Sequence, residues 1–148
     1  MSLKKAMWWN WVIEVDNLNM VELSHLEKAL TGCWSKETSS DPEHWTPDNP
    51  AWGQCAVTAL IVNDYLGGGI VWAEAKLSDG KNISHYFNLI DGTEVDLTRR
   101  QFPEGTVIPD GVEKKKEYTS TRDYVLSFPA TQQRYEILKD RVDEKIKL

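Results

Sequence analysis

Cysteine is scarce in this sequence: two thiols, Cys33 and Cys55, stand among 148 residues. Two are too few to staple a disulfide scaffold, so a reducing, cytoplasmic setting is the default expectation. Long apolar runs are absent as well. No segment approaches the roughly 20 consecutive apolar residues that cross a bilayer, because Asn, Asp or Gly interrupts each run. Lys4 and Lys5 precede the apolar stretch from Ala6 to Val12, yet Asn10 breaks it and the acidic Glu14 and Asp16 follow with no small-residue cleavage site. The stretch therefore does not read as a secretory leader. A basic excess is missing too: 17 Lys and Arg against 23 Asp and Glu give a net charge of −6. That balance counts against nucleic acid or an anionic membrane as a partner held by electrostatics. Hydrophobic residues at 41% and charged residues at 27% are those of a globular chain. The length suits one domain, 1–148, with 1–19 as an amino-terminal extension and 131–148 as a carboxy-terminal helix. Tryptophan, by contrast, is abundant, with seven residues.

Residues 1–16, with Trp8, Trp9 and Trp11, fit helix and strand equally well. Asn19 followed by Glu22 has the form of a capping box, and Met20, Leu23, Leu26 and Leu30 recur at helical spacing. Together they predict a helix over about 20–31 that ends near Gly32. The Ser-, Asp-, Pro- and Asn-rich stretch 35–50 predicts a long loop pinned by Trp34, Trp45 and Trp52. From Gln54 to Leu66 nearly every side is apolar, the pattern of a helix buried in the middle of a domain, with Gly67 as its left-handed C-cap. Alternation over 70–77 and 82–90 predicts two strands joined by a turn at 78–81. Asp91-Gly92 is a strong hairpin signal ahead of a third strand over 93–98. Beyond Arg100, the Pro and Gly residues at 103, 105, 109 and 111 predict irregular structure, with Val107 and Ile108 as a candidate short strand. Thr121 is placed to cap a short helix, and Tyr135, Leu138, Val142 and Ile146 line one face of a helix from Thr131 onward. The expected class is α+β, a central helix packed on a small antiparallel sheet.

Within that frame Cys55, His85 and Asp96 converge. Cys55 opens the buried helix, where unpaired N–H groups and the helix dipole stabilise an anion and so favour a nucleophilic thiolate. A two-residue Asp91-Gly92 turn pairs Ile90 with Thr93, and counting outward pairs His85 with Thr98 and Phe87 with Asp96. His85 and Phe87 share a face, which makes His85 and Asp96 diagonal neighbours, about 7–8 Å apart at the backbone and within reach of a hydrogen bond. Asn88 points to the opposite face and ranks below Asp96 as the group that orients the ring. In such a triad the imidazole takes the thiol proton and later protonates the leaving group, while the carboxylate fixes the ring's tautomer. The backbone N–H of Cys55 is one natural donor to an oxyanion, and the side-chain amide of Gln54 or of Asn49 is the other.

The segments Gly53-Gln54-Cys55-Ala56-Val57-Thr58-Ala59, Ser84-His85-Tyr86-Phe87-Asn88 and Glu94-Val95-Asp96-Leu97-Thr98 resemble the Cys, His and Asp signature blocks of the papain-like and transglutaminase-core cysteine hydrolase superfamily. More closely, residues 49–102 resemble small bacterial proteins of the YunG type, a likeness over about a third of the chain. The resemblance implies a papain-like fold in which the helix bearing the nucleophile packs on an antiparallel sheet bearing base and acid. Two features depart from the papain pattern. That pattern has an oxyanion Gln several residues upstream of the cysteine, where Asn49 stands here, with Gln54 directly before Cys55. The Cys-to-His interval is also short, leaving little chain for the walls of a deep peptide cleft.

Blander readings accompany the same residues. A cysteine in an apolar helix is usually a small core hydrophobe, a lone strand histidine is more often a satisfied core or edge residue, and Asp96 can simply end a strand. Cys33 has no partner at a recognisable spacing and reads as structural. Zinc held by Cys55, His85, Asp96 and Cys33 lacks the support of CxxC or HxxxH spacing, and the glycines at 67–69 lack the GK[ST] of a phosphate loop, so no metal or cofactor is expected. Trp45 and Trp52 suit a substrate groove or an anchored loop equally well, and His25 and His44 carry no argument beyond solvent exposure. The leading expectation is a thiol hydrolase or acyl transferase using Cys55, His85 and Asp96 on an amide, peptide or thioester bond of a small-molecule or peptide substrate. The alternative is a catalytically inactive papain-like binding module.

Overall fold

A helix that is apolar on every side must be covered on every side, and this requirement organises the chain around residues 55–66. The computed structural model describes residues 12–14 and 20–147; the tryptophans at 8, 9 and 11, the rejected leader's Lys4 and Lys5 and the expected cap Asn19 lie outside them. Strand β1 (Val12–Glu14) pairs with β2 (Met20–Glu22), and helix α1 (Leu23–Cys33) follows directly. The predicted start of that helix at about residue 20 is thus corrected to Leu23, because the three residues before it are taken up in strand pairing. Its end also shifts: α1 runs through Gly32 to Cys33, and the Trp34 N–H closes on the Leu30 carbonyl at 3.0 Å.

Helix α2 (Cys55–Leu66) is the buried one, with Val57 to Val62 and Leu66 all buried. Its flank toward α1 and α4 (Pro129–Ile146) packs Ile61 and Val62 against Leu26, Leu30, Leu138 and Val142. Its other flank packs Ala59 and Leu60 against Ile70 and against Val125 of α3 (Thr121–Leu126). Burying each large aliphatic side chain is worth about 1.5–3 kcal/mol, so these two clusters hold α2 in place. Gly67 ends the helix with φ 76°, positive as expected, but its ψ of −153° is extended rather than left-handed helical, so the chain leaves straight into a strand.

That strand, β3 (Gly69–Lys76), with β4 (Asn82–Ile90) and β5 (Thr93–Val95), forms an antiparallel meander in that order. Asp91 and Gly92 both have positive φ, 51° and 78°, the signature of a type I′ turn. The register follows the count: Ile90 faces Thr93, Leu89 faces Glu94 and Asn88 faces Val95. Strand β5 then stops at Val95, three residues short of the predicted Thr98. Asp96 Oδ1 accepts from the Thr98 N–H at 3.3 Å, a local bond that competes with the ladder, and a 3-10 turn over Arg99–Gln101 follows. Residues 82–87 of β4 consequently have no strand beside them on the β5 side.

The two faces of the sheet are distinct. Ile70, Tyr86, Asn88 and Ile90 face α2, and Asn88 Nδ2 donates to the Ala59 carbonyl at 3.0 Å. Val71, Ala73, His85 and Phe87 face away from it, under Ile108 and Gly111. Asn88 is therefore on the face opposite His85, as alternation predicts. The stretch 35–50 holds two 3-10 turns, Lys36–Thr38 and Pro42–His44. All three tryptophans pin it: Trp34 Nε1 donates to Thr58 Oγ1 (2.9 Å), Trp45 Nε1 to the Pro50 carbonyl (2.9 Å) and Trp52 Nε1 to Asp41 Oδ2 (3.0 Å). Val107 makes a single bridge to Lys76 rather than a strand. The cap of α3 is Ser120, not Thr121, with its hydroxyl accepting from the Asp123 N–H at 3.1 Å. Proline at the first position of α4 starts that helix two residues before Thr131. The architecture is α+β, helices with a small antiparallel sheet. Among the described residues no helix is long and apolar enough to cross a membrane.

Candidate functional site

His85 is fully buried on β4, opposite Ala73 of β3. Phe87 stacks on its ring with centroids 5.4 Å apart, and Phe102 meets it edge-on at 4.9 Å. Its Nε2 lies 2.7 Å from Asp96 Oδ2, and Asp96 is itself held from the other side by the backbone N–H of Thr98. A carboxylate only accepts, so Nε2 carries a proton. Nδ1, on the opposite edge of the ring, is buried with no hydrogen-bond partner. Cys55, partly exposed, is the second polar group acting on the ring. Burial, the strongest single influence, pushes the imidazole down. The hydrogen bond of Asp96 and the nearby charges of Cys55 and Asp96 outweigh it, and the ring is raised from 6.5 to about 9. At neutral pH the imidazole therefore holds its proton.

Cys55 is a free thiol at the first position of α2. The helical ladder begins with the Thr58 N–H on the Gln54 carbonyl at 2.9 Å, so the N–H groups of Cys55, Ala56 and Val57 precede it. The residue two positions ahead is fixed by sterics: Gly53 has φ 75°, and a Cβ there would lie 2.2 Å from Ser39 Oγ and 2.9 Å from the Ser40 nitrogen. Only glycine fits that approach.

The two amides named from sequence are both engaged in holding loops. Gln54 is fully buried, with Nε2 donating to the Ser35 carbonyl at 2.9 Å and Oε1 accepting from Thr38 Oγ1 at 2.7 Å. Asn49 Nδ2 donates to the Gln101 carbonyl at 3.0 Å. Gln101, which sequence reasoning missed, is different. Its Oε1 accepts from the Gly53 N–H at 3.2 Å, while its Nε2 is buried and donates to nothing. No local pattern marks it, because the 3-10 turn after Asp96 is what swings it 48 positions back to the start of α2.

Cys33 is not part of this arrangement. It packs with Leu26 and Leu30 in the core, and burial raises its thiol against the opposing pull of Lys145 and Arg141. Among the described residues no group of three or more His, Cys, Asp or Glu is placed to hold a metal ion. His25 is exposed, and His44, also exposed, has Nδ1 3.0 Å from both oxygens of Asp41, whose hydrogen bond raises it.

The model of the YunG protein family matches residues 22–147. The chain belongs to the YunG family. The YunG match takes in Cys55, His85, Asp96 and Gln101, and the helices that frame them. Over 80 residues the chain is 36% identical to a Bacillus subtilis (strain 168) protein described as "Uncharacterized protein YunG", which covers 54% of this chain and 63% of that one. The aligned part thus spans less than two thirds of the relative's length. No solved structure matches the chain.

Proposed function

We propose that this YunG-family chain is a cysteine-dependent hydrolase or acyl transferase acting on an amide, peptide or thioester bond, with Cys55 as nucleophile, His85 as acid and base and Asp96 as orienting carboxylate. One observation carries the proposal: a buried imidazole is fixed at Nε2 by a 2.7 Å bond to Asp96 and left unpartnered at Nδ1, with a thiol as the other polar group acting on the ring. Core histidines are ordinarily satisfied at both nitrogens. A ring held on one side and free on the other suits a proton carrier.

The sequence of steps follows from the donors and acceptors. In the resting site Nδ1 of the protonated imidazole already holds the proton given up by Cys55, and the thiolate forms a C–S bond to the acyl carbon while the carbonyl π pair moves onto oxygen. The oxyanion is met by the Cys55 N–H at the open end of α2 and by the unengaged Nε2 of Gln101, which takes the place expected of Gln54 or Asn49. Collapse breaks the bond to the leaving group, which departs with the proton from Nδ1. Water or another acceptor, deprotonated by the now neutral ring, releases the acyl group from sulfur. Asp96 keeps Nε2 protonated throughout, so that Nδ1 alone shuttles. A papain-like arrangement is the finer reading of the α+β fold; a nucleophile at the head of a buried helix beside a sheet that carries base and acid supports it. The two free thiols suit a reducing, cytoplasmic setting.

The test is covalent. Incubated with a p-nitrophenyl ester and analysed by intact mass, the protein is expected to carry one acyl group on Cys55, absent in Cys55→Ser and formed at least about a hundredfold more slowly in His85→Ala. No adduct on folded wild-type protein, or an adduct independent of His85, overturns the enzymatic reading and leaves a binding module.

A further inference from the structure

Ala56, Tyr86 and Tyr135 pack together against Ala59 and Leu60. Cys55 precedes Ala56 on α2 and Arg134 precedes Tyr135 on α4, so this packing ties the turn of α4 that carries Arg134 to the first turn of α2. Arg134 projects from the second turn of α4, near enough to Cys55 for their charges to act on each other.

Arg134 is in an unusual state for a cation. Its Nη2 donates to Thr131 Oγ1 at 3.1 Å within its own helix, while its Nε is buried and donates to nothing. Among the described residues no carboxylate lies within ion-pair distance of it. Two other arginines are paired, Arg122 with Asp64 at 2.8 Å and Arg141 with Glu37. Burial pushes the guanidinium down, opposed by the charge of Cys55. A half-buried guanidinium without a counter-ion is costly, and in a chain with six more acidic than basic residues a counter-ion is easily supplied. Its absence here leaves the guanidinium with an unpaired charge and an unused Nε donor, in the field of the one thiol proposed to react. A guanidinium fork matches a carboxylate in bidentate fashion.

We infer that the substrate's acyl side carries a carboxylate and that Arg134 binds it, positioning the scissile carbonyl over Cys55. The inference rests on the thiol chemistry proposed above and names its substrate class. Tyr124 and the exposed Phe128, whose rings meet edge-on at 5.3 Å, form an apolar shelf at the amino-terminal end of the helix that carries Arg134.

Two alkylating reagents of nearly equal shape separate charge recognition from thiol reactivity: iodoacetate carries a carboxylate and iodoacetamide does not. In each case the thiolate forms a C–S bond and iodide leaves. The ratio of their rates at Cys55, read by peptide mass spectrometry, is expected to exceed the same ratio on N-acetylcysteine by roughly tenfold, the share of one charge-assisted pair. Arg134→Gln brings the ratio back to that of N-acetylcysteine, Arg134→Lys keeps part of it, and Lys145→Gln, which removes a charge from the far end of the same helix, keeps all of it. Should Arg134→Gln fail to fold, sodium acetate added to wild-type protein is expected to slow iodoacetate more than iodoacetamide. A wild-type ratio equal to that of N-acetylcysteine overturns the inference. So does equal slowing of both reagents in Arg134→Gln, which assigns the guanidinium to the thiolate alone. An iodoacetamide rate indifferent to His85→Ala is a separate failure, that of the thiol reading itself.

Discussion

Two thiols sit at opposite ends of two helices, and their surroundings differ in every respect that matters for chemistry. Cys33 closes α1. Its carbonyl accepts from Arg141 Nη1 at 3.1 Å, the same guanidinium reaches Ser35 Oγ at 2.8 Å and Glu37, and the thiol is sealed among Leu26, Leu30 and Trp34. A cation on the last carbonyls is what a helix C-terminus favours, and that end is finished. Cys55 opens α2, where the dipole has the opposite sign and the first N–H groups are free of the ladder. Around it lie an imidazole with an unpartnered Nδ1, an amide with an unengaged Nε2 and a guanidinium with an unengaged Nε. These three are the buried side-chain polar groups without partners among the described residues, and all stand near one helix end. Unsatisfied polar groups cost about 1–3 kcal/mol each. Their concentration at the head of α2 sets that end apart from the satisfied end of α1, and the substrate proposed above is what would partner them.

The comparison can be broken from either side. The largest expected effect lies on the Cys33 side: Leu30→Ala, in the packed core beside that thiol, costs about 2–5 kcal/mol by urea denaturation, while the acylation rate at Cys55 in the folded variant stays within about twofold. A comparable loss of acylation would mean that the two regions are not separable. On the other side, Asp96→Asn removes the charge that holds His85 and is expected to lower stability by about 1–3 kcal/mol and to slow acylation at Cys55 roughly tenfold.

The same bond sets a pH dependence. The folded imidazole is raised to about 9 from 6.5, so protonation favours the folded chain. The stability that His85 contributes is complete below about pH 6.5, declines above it and is lost as pH rises through about 9. Denaturation of wild-type protein and His85→Gln from pH 6 to 10 should therefore show a gap that narrows with rising pH; a gap that widens contradicts the assigned shift. The smallest effect tests the link between the two thiols. Thr58→Val keeps the branched shape but removes the Oγ1 that accepts from Trp34 Nε1 and ties the end of α1 to α2, at a cost of about 1 kcal/mol by urea denaturation.

Much of this was legible in sequence where the signal is local. The all-round apolar run fixed α2 to within a residue, and the Asp91-Gly92 turn fixed the register that brings His85 to Asp96 and sends Asn88 to the other face. What failed depends on contacts between distant segments. Strand β5 is cut short by the bond between Asp96 and Thr98, β2 replaces the first turn of the expected α1 by pairing with β1, and the amides of Gln54 and Asn49 are drawn into loops that single-sequence spacing does not position. Gln101 and Arg134 were missed for the same reason: Gln101 is bonded to Gly53 from 48 positions away and Arg134 lies on a helix packed against α2, and nothing near either in sequence announces it.

The central claim is that the Cys55 thiol is activated by His85 whereas Cys33 is not activated at all, and competitive iodoacetamide labelling of the folded protein near neutral pH measures both at once. The account predicts that Cys55 reacts at least about a hundredfold faster than Cys33 and that His85→Ala removes most of that advantage. Equal labelling of the two thiols, or a Cys55 rate unmoved by the loss of the imidazole, would contradict it.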